Sequence, residues 1–307
     1  MIELTWVGDA LRWAGGLYWL LAIGALALAI TKIKPIAGKV ISVAAIVALF
    51  GYLPITAALE NKKAADARKA AWAHFEMRCK SAGEKIYKTV EDVEGIMLLK
   101  IRPEKTNFSE QFVLDDPYGR DLGNDGYIES FLNNFHASKD SSSNIPFRHG
   151  YKYVEAIDSQ DSKRYRYLGS MKDVYVPPSY LIGGKSQGFQ HRKFVVEKAP
   201  STQPPPRYGV TYDDISTLED RNVWIAGSSL RIIDLQTNEV IAERIGYMLD
   251  REQGNTQGGR SPWLYAADNA CPTFARSPSI KIHPGRGASA QLNQTRDFVE
   301  KVLKPRQ

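Results

Sequence analysis

Two long runs without a charged residue, 13–30 and 40–59, open a chain in which apolar and polar positions otherwise alternate on a short scale. They hold 18 and 20 residues. As helices rising about 1.5 Å per residue they reach roughly 27 and 30 Å, the thickness of a bilayer's hydrocarbon core. The pattern predicts an α+β chain in three parts. Residues 1–59 form a membrane anchor, with helices at about 13–30 and 40–59 that contact the lipid bilayer. Residues 60–82 form a helical stalk, and residues 83–307 a mostly antiparallel β soluble domain with a C-terminal helix.

The stalk reads as a continuation of the second apolar helix, since Trp72, Phe75 and Cys79 recur at helical spacing and Gly83 offers a stop. Strand patterns follow at 94–101, 151–157 and 193–197. From Tyr208 onward 223–226, 230–235 and 240–245 suggest an antiparallel meander, with turns at Gly227-Ser228-Ser229 and at Gln236-Thr237-Asn238-Glu239. Helical spacing returns at 127–135 and 289–303. Polar or Gly/Pro-rich breaks fall at 138–146, 200–206 and 251–262, and the Pro204-Pro205-Pro206 run marks a subdomain boundary near 200–206.

Charge decides the orientation. The residues ahead of the first run include Glu3 and Asp9 and no Lys or Arg before Arg12, the reverse of a signal peptide's basic start, so Ala25-Leu26-Ala27 is not read as a cleavage site. Lys32, Lys34 and Lys39 crowd the loop between the runs without an acid. By the positive-inside tendency that loop stays in the cytoplasm, although Lys62, Lys63, Arg68 and Lys69 argue the other way. The soluble domain is then expected in a bacterial periplasm, on a multi-pass inner-membrane anchor. Its 36 basic and 32 acidic residues from position 60 onward give a net charge of +4, too mild to demand a polyanion. Only two cysteines occur, Cys79 and Cys271. Without Cys-x-x-Cys spacing they suggest a closing disulfide in an oxidising compartment rather than a metal site.

The chemical motifs are thin. Gly184-Lys185-Ser186-Gln187-Gly188 matches the nucleophile-elbow pattern, which would make Ser186 a nucleophile and His283 its base. Strand-like residues follow it where a hydrolase requires a helix. Asp121 and Asp125 resemble the start of a calcium loop, but Gly123 takes a ligand position and Leu132 the place of the bidentate glutamate. The neighbouring Asp115-Asp116-Pro117-Tyr118-Gly119 reads as part of the same turn region. The histidines are scattered and read as lone surface residues. Lys163-Arg164-Tyr165-Arg166-Tyr167 reads as a strand with a basic and an aromatic face, so no nucleic-acid partner is expected. With no cofactor motif and no complete catalytic set, the expectation is a non-enzymatic envelope protein that binds a protein partner, in its sharpest form an immunity protein against a toxin. A periplasmic serine hydrolase and a scaffold subunit of an envelope complex are the alternatives.

Overall fold

The computed structural model describes residues 5–119, 122–132, 150–158, 161–176, 180–181, 184–185, 189–274, 291 and 294–306. The chain divides into two compact units, Met1–Lys69 and Ala70–Gln307.

Two helices make up the first unit: α1 (Thr5–Lys32) and the greater part of α2 (Ile36–Cys79), both long and apolar enough to cross a membrane. Large apolar side chains such as Leu20, Ile23, Leu49 and Leu53 stay exposed on them. The Tyr18 hydroxyl donates to the Phe50 carbonyl at 2.5 Å and its ring meets that of Phe50 at 5.3 Å. Ala22 and Ala29 are buried on α1, whereas Ala44 and Ala48 on α2 are exposed.

As its periodicity predicts, α2 runs unbroken from the apolar segment through the stalk residues. Among the described residues thirteen strands follow: β1 (Gly83–Ile86), β2 (Val90–Val93), β3 (Gly95–Leu98), β4 (Tyr153–Ile157), β5 (Arg164–Val176), β6 (Tyr180–Leu181), β7 (Gly184–Lys185), β8 (Phe189–Pro200), β9 (Tyr208–Asp214), β10 (Ile225–Asp234), β11 (Glu239–Leu249), β12 (Ala270–Cys271) and β13 (Leu303–Pro305). Nine of them form one sheet in the order β1-β11-β10-β9-β3-β4-β5-β8, with β12 pairing β11 beyond β1. The sheet is mixed. β3 pairs in parallel with both β4 and β9, and the other pairings are antiparallel.

Of the expected meander, the hairpin of β10 and β11 holds, with its turn before Glu239; the expected strands 223–226 and 230–235 fall in the one strand β10, whose other antiparallel neighbour is β9. One of its expected turns is absent, since Gly227, Ser228 and Ser229 lie inside β10. Their smallness serves crowding instead. A Cβ on Gly227 would run into the Tyr247 ring, and Ser228 donates to buried Asp116. The chain turns earlier, at α4 (Leu218–Asn222), which Thr217 and Asp220 start with a reciprocal capping box. The segment 200–206 joins β8 to β9, two strands of the same sheet.

One sheet face packs against α3 (Asn124–Phe131), α5 (Pro262–Ala266) and α6 (Gln294–Val302). On it Ile96, Leu98, Val210, Leu230 and Ile232 meet Tyr127, Phe131, Phe298 and Val302, while Ala226 and Met248 meet Trp263 and Ala266. On the other face, Ile225, Tyr247 and Leu249 receive Ala71 and Phe75 from the end of α2. Cys79 and Cys271 are joined there, Cα to Cα 5.6 Å apart and 192 residues apart in sequence.

Breaking a covalent loop of that length removes a constraint on the unfolded chain worth roughly 5 kcal/mol in the entropy model. The paired variant Cys79→Ser, Cys271→Ser is therefore expected to lose about 3–5 kcal/mol of unfolding free energy in chemical denaturation against the oxidised protein. A loss below about 1 kcal/mol would show that the disulfide does not close the fold in this way.

Candidate functional site

Between its two apolar clusters, the helix-covered face of the sheet carries a buried polar seam. Its positions follow from strand register: Ser228 lies opposite Gly246, and Leu230 opposite Arg244. With alternate residues pointing to one side, Ser228, Gly246 and Arg244 share a face with Ile232, Ala242 and Met248. The segment that follows β3 supplies Arg102, Asp116 and Tyr118 to the same seam.

Asp116 is its centre. Its carboxylate accepts from Arg102 Nη1 at 3.0 Å, Ser228 Oγ at 2.8 Å and the Gly119 amide at 2.8 Å, while its own amide donates to Asp214 Oδ2 at 3.1 Å. The backbone holds φ at 60°. That left-handed conformation is one of the few a non-glycine residue takes, and Asp tolerates it because its side chain bonds locally. Asp214 in turn pairs with the buried Arg221, whose guanidinium lies 4.9 Å from the Trp263 ring centre. Arg102 stacks 3.9 Å from the centre of the Tyr212 ring. Gly246 is needed at its position, because a Cβ there would collide with Tyr118.

Burial sets the electrostatics. It pushes the Asp116 carboxyl up to about 6, against the opposing pull of Arg102, Ser228 and the Gly119 amide. It also pushes the Tyr118 hydroxyl up to about 12. Arg244, equally enclosed, is shifted downward by burial. At the end of α2 the balance is reversed for Asp220: burial raises its carboxyl, but hydrogen bonds from Arg78, Thr217 and His74 outweigh that and hold it below the usual range. His74 Nε2 lies 2.6 Å from Asp220 Oδ1, so this histidine is engaged rather than the lone surface residue its sequence context suggests.

The sheet's far edge has a different character. β4 pairs β5 only over residues 164–168, whereas β8 pairs β5 along nearly its whole length. Among the described residues, 169–176 therefore have β8 as their strand neighbour and form a two-stranded ribbon with it; β6 and β7 pair as a separate two-stranded sheet. Three Lys or Arg and one acid occur on each of β5 and β8. Arg164 and Arg166 converge on buried Glu155, and Tyr165 and Tyr167 carry Lys198 at 4.2 and 6.0 Å, giving the basic and aromatic faces that the alternation predicts. Val174 and Tyr175 stay exposed. Beside the ribbon a groove of about 270 Å³ is bounded by Asp125, Glu129, Tyr167, Lys193 and Phe194.

Of the residues singled out by sequence, Ser186, His283 and Asp121 lie outside the described residues. Asp125 sits in the first turn of α3, facing that groove. Among the described residues no cluster of three His, Cys, Asp or Glu side chains is arranged to hold a metal ion. The polar seam itself escaped sequence reading, apart from the Asp116 turn. Arg244, in phase with Ala242 and Gly246 on one face of its strand, was the available signal. No family model matches the chain, and no curated protein or solved structure is significantly similar to it.

Asp116 makes a pH prediction. Its folded carboxyl holds a proton to about pH 6, against 3.8 for the free group. Its contribution to stability is thus complete below the lower value and is lost as pH rises through the upper one. The stability of the wild type minus that of Asp116→Asn is expected to fall by about 2 kcal/mol between pH 4 and 7 in denaturation titrations. A difference that stays constant over that range would contradict a buried, titrating Asp116.

Proposed function

We propose that this chain is a membrane-anchored, non-enzymatic envelope protein whose periplasmic domain binds a protein partner through the β5–β8 ribbon. Both apolar helices cross a bacterial inner membrane, with the Lys32, Lys34 and Lys39 loop on the cytoplasmic side. The Cys79–Cys271 disulfide supports this placement, since such bonds persist in oxidising compartments.

The observation that carries the binding assignment is the ribbon. A two-stranded hairpin is marginal in water by itself, and this one keeps Val174 and Tyr175 exposed on the part of β5, residues 169–176, that pairs with the edge strand β8 and not with β4 among the described residues. Edge strands pair readily with added chains. Most Lys and Arg of the two strands pair within the fold, Arg164 and Arg166 with Glu155, Lys172 with Glu197 and Lys198 with Asp158, so strand pairing and the exposed Val174 and Tyr175 support the binding surface. In its most specific form that partner is a toxin, and the chain is the immunity protein that neutralises it.

Photo-crosslinking in whole cells tests this, with the reactive side chain at position 197 on β8 and a control at exposed Leu218 on α4. We expect one predominant crosslinked protein from position 197. Its yield should fall at least tenfold when Val174→Ser and Tyr175→Ser are added, with no change in thermal midpoint. No product above the Leu218 control contradicts ribbon binding. A toxin partner further requires that the crosslinked protein arrest growth when delivered to the periplasm of cells lacking this chain.

A further inference from the structure

A second cavity lies at the other end of the sheet, independent of the ribbon. It encloses about 260 Å³ and is bordered by Glu84, Tyr118, Arg244, Phe274, Phe298 and Lys301. We propose that it binds a small monoanion, a carboxylate carried on an apolar or aromatic body.

Arg244 is the reason. It stands on β11, opposite Glu84 of β1, and only 7% of it is exposed. Its guanidinium makes one hydrogen bond, from Nη1 to the Gln294 carbonyl at 3.2 Å. Nε and Nη2 have no hydrogen-bond partner, and the residue forms no ion pair with a carboxylate among the described residues. Those two nitrogens share one edge of the planar group, the edge that takes a carboxylate through two parallel bonds. A buried cation without a counter-charge is costly, and an ordinary fold avoids it.

The charge balance around the cavity specifies the ligand. Two buried guanidiniums, Arg102 and Arg244, face a single buried carboxylate, Asp116, which Arg102 already engages. At the rim the charges pair off: Lys301 with Glu84 at 2.5 Å, and Asp297 with Arg296 at 2.7 Å. Of the two cations bordering the cavity, Lys301 has its carboxylate and Arg244 has none among the described residues, and a monoanion supplies it. The walls suit an apolar body, since the Arg244 guanidinium lies 6.0 Å from the Tyr118 ring centre and 5.7 Å from that of Phe298, and Tyr118 packs on Phe274 at 4.9 Å. Nε and Nη2 are shielded from solvent. Engagement therefore requires the guanidinium to turn toward the cavity, giving up its bond to Gln294.

The test is isothermal titration of the full-length protein in detergent with 3-phenylpropionate, its neutral analogue 3-phenylpropanamide, and inorganic phosphate. We expect saturable one-to-one binding of the acid, at least tenfold weaker binding of the amide, and at least a tenfold loss in Arg244→Gln. Thr273→Trp guards against a folding failure of that variant. Thr273 borders the cavity but is exposed and outside the seam, so a tryptophan there fills the site without disturbing the core. It should abolish binding. No saturable binding of the acid, equal affinity for acid and amide, or binding unchanged by Thr273→Trp would each overturn the proposal. Phosphate binding tighter than the acid would overturn the assignment to a carboxylate.

Discussion

The bond between Cys79 and Cys271 fixes how the large unit is closed. Both β1 and β12 use the outer edge of β11, β1 through Ile245 to Ala242 and β12 through Tyr247 and Met248. Cys79 precedes the first of these short strands and Cys271 ends the second, so one covalent link holds both against an edge that few hydrogen bonds secure. The last turns of α2 are drawn onto the sheet by the same geometry. Ala71 and Phe75 enter the cluster around Tyr247, while Arg78 and His74 reach Asp220 at the start of α4. Apolar burial, an ion pair and the disulfide act at a single seam, and the sheet's uncovered face is completed there by a helix from outside the meander.

On the opposite face the fold accepts a cost. A continuous apolar core is interrupted by Arg102, Asp116, Arg221, Asp214 and Arg244, each of which needs a partner to offset desolvation. Four of them find one, Arg102 with Asp116 and Arg221 with Asp214, tied together by the Asp116 amide. Backbone choices serve this network, from the left-handed Asp116 to the glycine at 246 that admits the Tyr118 ring. Arg244 is the member that the network leaves with only a carbonyl.

Much of this was legible in sequence, and the division follows range. The two apolar runs, the unbroken α2, the β10–β11 hairpin and the alternating faces of β5 are written in neighbouring residues. The insertion of β3 between β4 and β9 is not, because Leu98 pairs with Ala156 and Val210, far along the chain, and a four-residue apolar run carries no mark of its partners. Glycine and serine at 227–229 resemble a turn, yet they sit in a strand where larger side chains have no room. Buried arginines are the hardest to see, since a charge reads as surface by default. The hint at Arg244 was its phase, on the same strand face as Ala242, Gly246 and Met248. Asp116 was visible as a turn residue, but its burial depends on Arg102 and Ser228, which no local pattern places beside it.

We propose that the disulfide-closed domain stands outside the cytoplasm on a two-helix anchor. Maleimide labelling of Cys79 and Cys271 in intact cells tests it most directly, with an impermeant reagent applied before and after reduction. Labelling that appears only after reduction, and without lysis, is the predicted result. Thiols that react without reduction and only after lysis would place the domain in the cytoplasm and contradict the claim.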